Sequence, residues 1–170
     1  MTTNNFLNTP RNTNTLQGNK FQFILPDLPH VTFFCQMVML PGASTSAAIV
    51  ETPFQTQYRH GDKMQYDPLV ITFLVDEDLG NWIEVYNWIK GLTKPNGFQE
   101  YNDQKKKFLY RDCQVIISTN SNIANYKFTF KNCHPISLGP LTMTAMDDPN
   151  LTPTVDLTLQ YDTYSIDKMN

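Results

Sequence analysis

His30, His60, His134, Cys35, Cys113 and Cys133 are the side chains with the widest chemical reach, and their spacing argues against a reactive centre. Zinc sites pair their ligands at short fixed intervals, because several soft donors must converge on one small ion. Here only Cys133 and His134 adjoin, and neither C-x-x-C nor H-x-x-x-H occurs. No metal site is expected. Asp76, Glu77 and Asp78 gather three carboxylates, but the alternating oxygen ligands and loop glycine of a hand-type calcium site are missing. Their expected role is negative charge near the positive end of a helix. A nucleophile needs an activating base and an oxyanion hole. The G-x-S-x-G pattern is absent, as is any glycine loop that could cradle phosphate. Neither enzymatic activity nor a cofactor is expected. The three cysteines, an odd number set in apolar alternation, read as reduced core thiols. Asn150-Leu151-Thr152 fits a glycosylation sequon, which has no consequence without secretion.

Bulk properties narrow the classes further. A chain of 170 residues suits one domain able to bury its own core. At 41% hydrophobic and 12% aromatic it exceeds what a disordered chain carries. No apolar run approaches the roughly 20 residues that cross a bilayer, so membrane insertion is not expected. The start, MTTNNFLNTPRNTNTLQGN, has neither the basic beginning nor the apolar middle of a secretion signal, which predicts synthesis in a cytoplasm. Sixteen acidic residues against thirteen basic ones give a formal charge of −3 with no long cationic stripe. Specific nucleic-acid binding is therefore not expected, since it requires clustered Lys and Arg. A wall past which a polyanion merely slides has no such requirement.

The elements that would position these groups are mostly strands. From Asp67, a segment apolar on both faces carries Leu69, Ile71, Phe73 and Val75 on one side and Val70 and Leu74 on the other, the pattern of a central buried strand. An acidic turn leads from it into the one convincing helix. Asn81 and Glu84 have capping-box spacing, Trp82, Val85, Tyr86, Ile89 and Leu92 recur along one face, and Gly91 suits a C-terminal cap. Residues 1 to 18, rich in Asn and Thr, predict a flexible arm. Phe21, Phe23 and Leu25 form a first strand. Pro26 and Pro29 bracket a turn into a second, with Val31, Phe33, Cys35, Met37 and Met39, and the two are expected to pair as a hairpin.

Further strands follow around Cys113 to Ile117, Tyr126 to Phe130, Ile136 to Met143 and Val155 to Tyr161. The expected architecture is mainly β with one packed α-helix: an antiparallel β-sandwich or barrel of about seven or eight strands. Its single domain spans residues 19 to 166, with 167 to 170 as a C-terminal tail. The polar stretch from Thr93 to Tyr110, which holds Lys105, Lys106 and Lys107, predicts a loop on the outside. Ala43 to Gly61 alternates small, apolar and polar residues and predicts a hairpin extended beyond the core. Its unpaired backbone calls for a neighbouring copy.

The order of these signals resembles the tail tube protein family of contractile-tailed bacteriophages. It runs from Asn19-Lys20-Phe21 through Leu40-Pro41-Gly42 and the hairpin around Ile49 to Gly61 to Asp67-Pro68-Leu69-Val70-Ile71-Thr72-Phe73. The helix with Trp82, Tyr86 and Trp88 follows, then Asn132-Cys133-His134-Pro135-Ile136-Ser137-Leu138-Gly139, then a closing strand from Thr154 to Tyr161. The strength lies in order and spacing, because no single motif is specific. The resemblance covers roughly residues 19 to 166 and implies homohexameric rings. These would stack into an inner tube that carries phage DNA to the host without binding it specifically. It also implies a place in the virion tail after assembly in the host cytoplasm. The implied partners are the sheath, baseplate and terminator tube proteins, with a tape measure protein in the lumen.

Related tubes serve type VI secretion and contractile injection systems. The polar arm and lysine-bearing loop depart from the pattern and leave two places open, main tube and tube end (initiator or terminator). On the resemblance, Ser46, Glu51, Thr52, Gln55, Gln57 and Arg59 are candidates for the lumen wall or for contacts between subunits, with Glu51 repelling phosphates. Lys105, Lys106 and Lys107 are candidates for a sheath-facing loop. Two other classes remain: a monomeric β-barrel holding a small ligand, and an enzyme on a jelly-roll-like scaffold.

Overall fold

Strand-forming alternation dominates the chain, and the computed structural model, which describes residues 13–93, 110–144 and 152–169, turns it into nine strands and two helices. In order these are β1 (Phe21–Ile24), α1 (Pro29–Phe33), β2 (Cys35–Met39), β3 (Ala43–Glu51), β4 (Thr56–Tyr66), β5 (Leu69–Leu74), α2 (Gly80–Thr93), β6 (Arg111–Ser118), β7 (Ala124–Leu138), β8 (Thr154–Gln160) and β9 (Thr163–Lys168). All pairings are antiparallel. Seven strands join one sheet in the order β1-β6-β7-β8-β5-β2, with β9 added beside β7, while β3 and β4 form a separate two-stranded sheet.

The strand β5 is central, as its sequence predicts: it lies between β8 and β2, with Leu69, Ile71 and Phe73 fully buried. Its other face, with Val70 and Leu74, is only half-buried. A single long strand, β7, organises the rest. Its first half pairs with β6 and β9 and its second half with β8, so one chain segment carries both halves of the sheet. At the bend Asn132 adopts φ 56°, a left-handed conformation that Asn tolerates better than most residues. The shared core takes Phe23, Cys113, Val115, Phe130 and Cys133 from one half, Phe73, Val155, Leu157 and Leu159 from the other, and Val85 and Trp88 from α2.

Several expectations are corrected. The strands β1 and β2 do not form a hairpin; they lie at opposite ends of the strand order, paired with β6 and β5. The second strand begins at Cys35, because Pro29 opens a short helix in which Val31 is buried. The segment around Ile136 is the second half of β7 rather than a separate strand. The expected C-terminal tail is occupied to Lys168 by β9, which pairs Asp167 with Lys127.

In α2, Asn81 is inside the helix and is not its cap. It is fully buried, its Nδ2 donates to the Leu74 carbonyl at 2.8 Å, and its Oδ1 accepts from Asp76 N–H at 3.4 Å, which ties the helix to the end of β5. Glu84, freed from any capping role, instead reaches His30 Nδ1 at 3.1 Å. Gly91 is buried within the helix, and Tyr86 points outward while Trp88 takes the core side.

Candidate functional site

The strands β3 and β4 carry too few bulky residues to make a core, and they stand apart from it. Every residue of β3 is exposed, and in β4 only Gly61 and Tyr66 are partly covered. Pairing runs from Ala43 with Tyr66 to Glu51 with Thr56, so the hairpin extends five residues further than the Gly61 limit expected from sequence. At the root, Asp67 N–H donates to the Gly42 carbonyl at 3.1 Å. At the tip, Thr52 Oγ1 donates to the Gln55 carbonyl at 2.6 Å and accepts from Gln55 N–H at 3.3 Å, a self-contained turn.

A register shift between Thr45 and Ala47 breaks the ladder midway. Ser46 lies at that bulge, and Gly61 comes so close that a Cβ there would run into the Ser46 carbonyl. Only glycine fits such an approach, which explains a glycine in mid-strand.

Residues directly opposite one another share a face, and faces alternate along each strand. One face therefore carries Ile49 with Tyr58, Ala47 with His60, Thr45 with Met64 and Ala43 with Tyr66. The other carries Val50 with Gln57, Ala48 with Arg59 and Ser44 with Gln65. The first face is apolar and open to solvent: Ile49, Tyr58 and Met64 are 61%, 72% and 62% exposed. At its root Tyr66 stacks into the body, with ring centroids 5.1 Å from Tyr164 and 6.2 Å from Tyr161. The core's apolar surface thus continues onto the hairpin, where no described residue buries it.

The six candidates named from sequence do not share one surface. Gln57 and Arg59 lie on the polar face, Ser46 at the bulge, Thr52 and Gln55 in the tip turn, and Glu51 opposite Thr56 at the end of the apolar face. Lys105, Lys106 and Lys107 lie outside the described residues. Ile49, Tyr58 and Met64 were missed, because the segment's low average hydropathy hid their alignment. Pairing β3 with β4 from the tip inward would have revealed it.

Other groups are dispersed. Among the described residues no three metal-ligating side chains converge. Arg111, largely buried, lies with its guanidinium carbon 4.5 Å from the Trp88 ring centroid and its Nε 3.7 Å from Asp27, and burial lowers its pKa. A concavity of about 830 Å³ opens between the two sheet edges, lined by Phe21 and Phe23 of β1, Thr32 and Phe33 of α1 and Cys35 of β2. It lies between unpaired strand edges. The interior of the sheet is filled by Phe23, Phe73 and Phe130, in contrast to the hollow that a barrel-type ligand carrier requires.

Comparison with known proteins accords with this geometry. The tail tube terminator protein of Enterobacteria phage T4 is 34% identical over 86 residues, a match covering 45% of this chain and 48% of that protein, so only about half of that relative is spanned. A chain in the cryo-EM structure of the anti-feeding prophage tube terminating cap superposes with a TM-score of 0.67 at 14% identity, covering 95% of this chain and 96% of its own. A chain from the extended sheath-tube complex of the PVC extracellular contractile injection system gives 0.63 at 15% identity, covering 91% and 93%. These two likenesses establish the fold. The family model described as phage tail tube protein matches residues 3–167, nearly the whole chain, and the chain therefore belongs to the phage tail tube protein family, whose members are structural rather than enzymatic.

Proposed function

We propose that this chain is a tube subunit of a contractile phage tail, forming homohexameric rings that stack into the conduit for DNA. The observation that carries the reading is the β3–β4 hairpin, with its outward apolar face and backbone edges that no other described strand pairs. Exposed edges and a continuous apolar strip invite strand pairing with a neighbour, and a head-to-tail contact repeated around a closed circle makes a ring. In this reading Ile49, Tyr58 and Met64 are buried between copies, and Glu51, Thr52 and Gln55 contact the neighbour near the tip. Ser46, Gln57 and Arg59 face the bore, with the net acidity of the chain limiting attraction for DNA, which passes without specific binding. Sheath, baseplate and terminator proteins, and a tape measure protein in the lumen, are the partners that accompany such a place in the virion tail. Assembly in the host cytoplasm belongs to the same reading.

Adjacent residues test the assignment. Tyr58→Asp places a charge on the apolar face and is expected to abolish rings and tubes in negative-stain images. Gln57→Asp, one residue away on the opposite face, is expected to leave them intact. Equal assembly by both variants, or a wild-type chain monomeric at every concentration, would overturn the reading. A second reading, a tube-end ring, is favoured by the relative in phage T4, a tube terminator. Antibody labelling of whole particles separates the two: decoration along the length marks a main tube subunit, and decoration at one end marks a terminator or initiator.

A further inference from the structure

Cys113 on β6 and Cys133 on β7 are both fully buried, and their Sγ atoms are 3.1 Å apart. A disulfide bond is about 2.05 Å long, so an approach of roughly one ångström would join them. The register shift between Arg111 and Cys113 sets the two residues diagonally across the strand pair with both side chains in the core. The corner beside them is pinned. Asn132 N–H donates to Asp112 Oδ1 at 3.0 Å, and Asn132 Nδ2 donates to Asp162 Oδ2 at 2.6 Å, holding β6, β7 and the start of β9 together. The two thiols share a hydrogen bond in which either sulfur can donate.

We propose that Cys113 and Cys133 form an oxidative modification site, a vicinal dithiol that a peroxide converts into a cross-strand disulfide within one chain. One sulfur of the pair attacks the O–O bond of hydrogen peroxide, giving a sulfenic acid and one water once its proton has been transferred. The other sulfur then displaces the hydroxyl group, which leaves with that second thiol's proton as a second water. Two thiols lose two electrons in all, peroxide gains two, and an S–S bond replaces two S–H bonds. Burial makes the reaction slow, because the oxidant enters only during openings of the β6–β7 corner. The site is independent of the hairpin and of ring assembly. Its product would lock the corner of the sheet in particles that meet an oxidising environment.

The test uses the full chain. Protein is treated with hydrogen peroxide, the excess is destroyed with catalase, and the chain is denatured in iodoacetamide before intact-mass and peptide mass spectrometry. The expected result is a linked peptide pair containing Cys113 and Cys133, with alkylation confined to Cys35. Cys35→Ala is expected to form the same bridge, and the bridged form to unfold at a higher temperature than the reduced one. Alkylation of both Cys113 and Cys133 after treatment would overturn the proposal. So would a bridge that includes Cys35, or conversion of either buried thiol to sulfinic acid without a bridge.

Discussion

The strand β5, six residues of apolar and β-branched type, is the best-buried strand of the molecule, whereas β3, nine residues long and mostly small or polar, is exposed at every position. Neighbours explain the difference. The strand β5 has β8 and β2 on its two sides and Phe73 in the core, so its order comes from contacts within the chain. Among the described residues β3 pairs with β4 alone, and an isolated two-stranded hairpin is marginal in water. The body therefore holds the buried core that stability requires, whereas the hairpin buries little of its own surface. On the proposed reading, stability resides in the body and assembly in the hairpin.

Substitutions can break that division. Phe73→Ala removes a fully buried ring and is expected to cost about 3–5 kcal/mol in denaturant unfolding, because the surrounding core collapses only partly. A loss below about 1 kcal/mol would mean the body is not the source of stability. Asn81→Ala leaves the Leu74 carbonyl and the Asp76 N–H without their partner in a buried setting, and is expected to cost about 1–3 kcal/mol by the same measurement. Gly61→Val acts at the other pole. Its side chain collides with the Ser46 carbonyl and distorts the bulge. Unfolding of the isolated chain is expected to shift by less than about 0.5 kcal/mol, while sedimentation shows the loss of assembled species. If Gly61→Val instead destabilised the body as much as Asn81→Ala, the hairpin would have to be counted as part of the core.

Legibility followed the same division. The face of Leu69, Ile71 and Phe73 was readable because a two-residue period and a run of β-branched and aromatic residues need no partner to be recognised. The helix α2 was readable from its own helical period, although its cap was misread: Asn81 has the chemistry of an N-cap but is the second residue of the helix, where its side chain serves Leu74 and Asp76. The strand β9 was missed because Thr163 to Lys168 is an almost wholly exposed edge strand, with pairing to β7 supplied by backbone rather than by an apolar pattern. The candidate residues of the hairpin were recognised by their small and polar types. Their division into two faces was not, because it depends on which residues of β3 and β4 stand opposite one another.

By itself the sequence determined where β5 and α2 lie and that residues 43 to 61 stand outside the core. These are local properties, carried by side-chain period and composition. Tertiary structure alone decided that β1 and β2 lie at opposite ends of the strand order and that one bent strand serves both halves of the sheet. It also decided that Cys113 and Cys133 meet in the core. Each of these is a pairing between segments far apart along the chain, and periodicity within a strand says which face is apolar but never which partner will lie beside it.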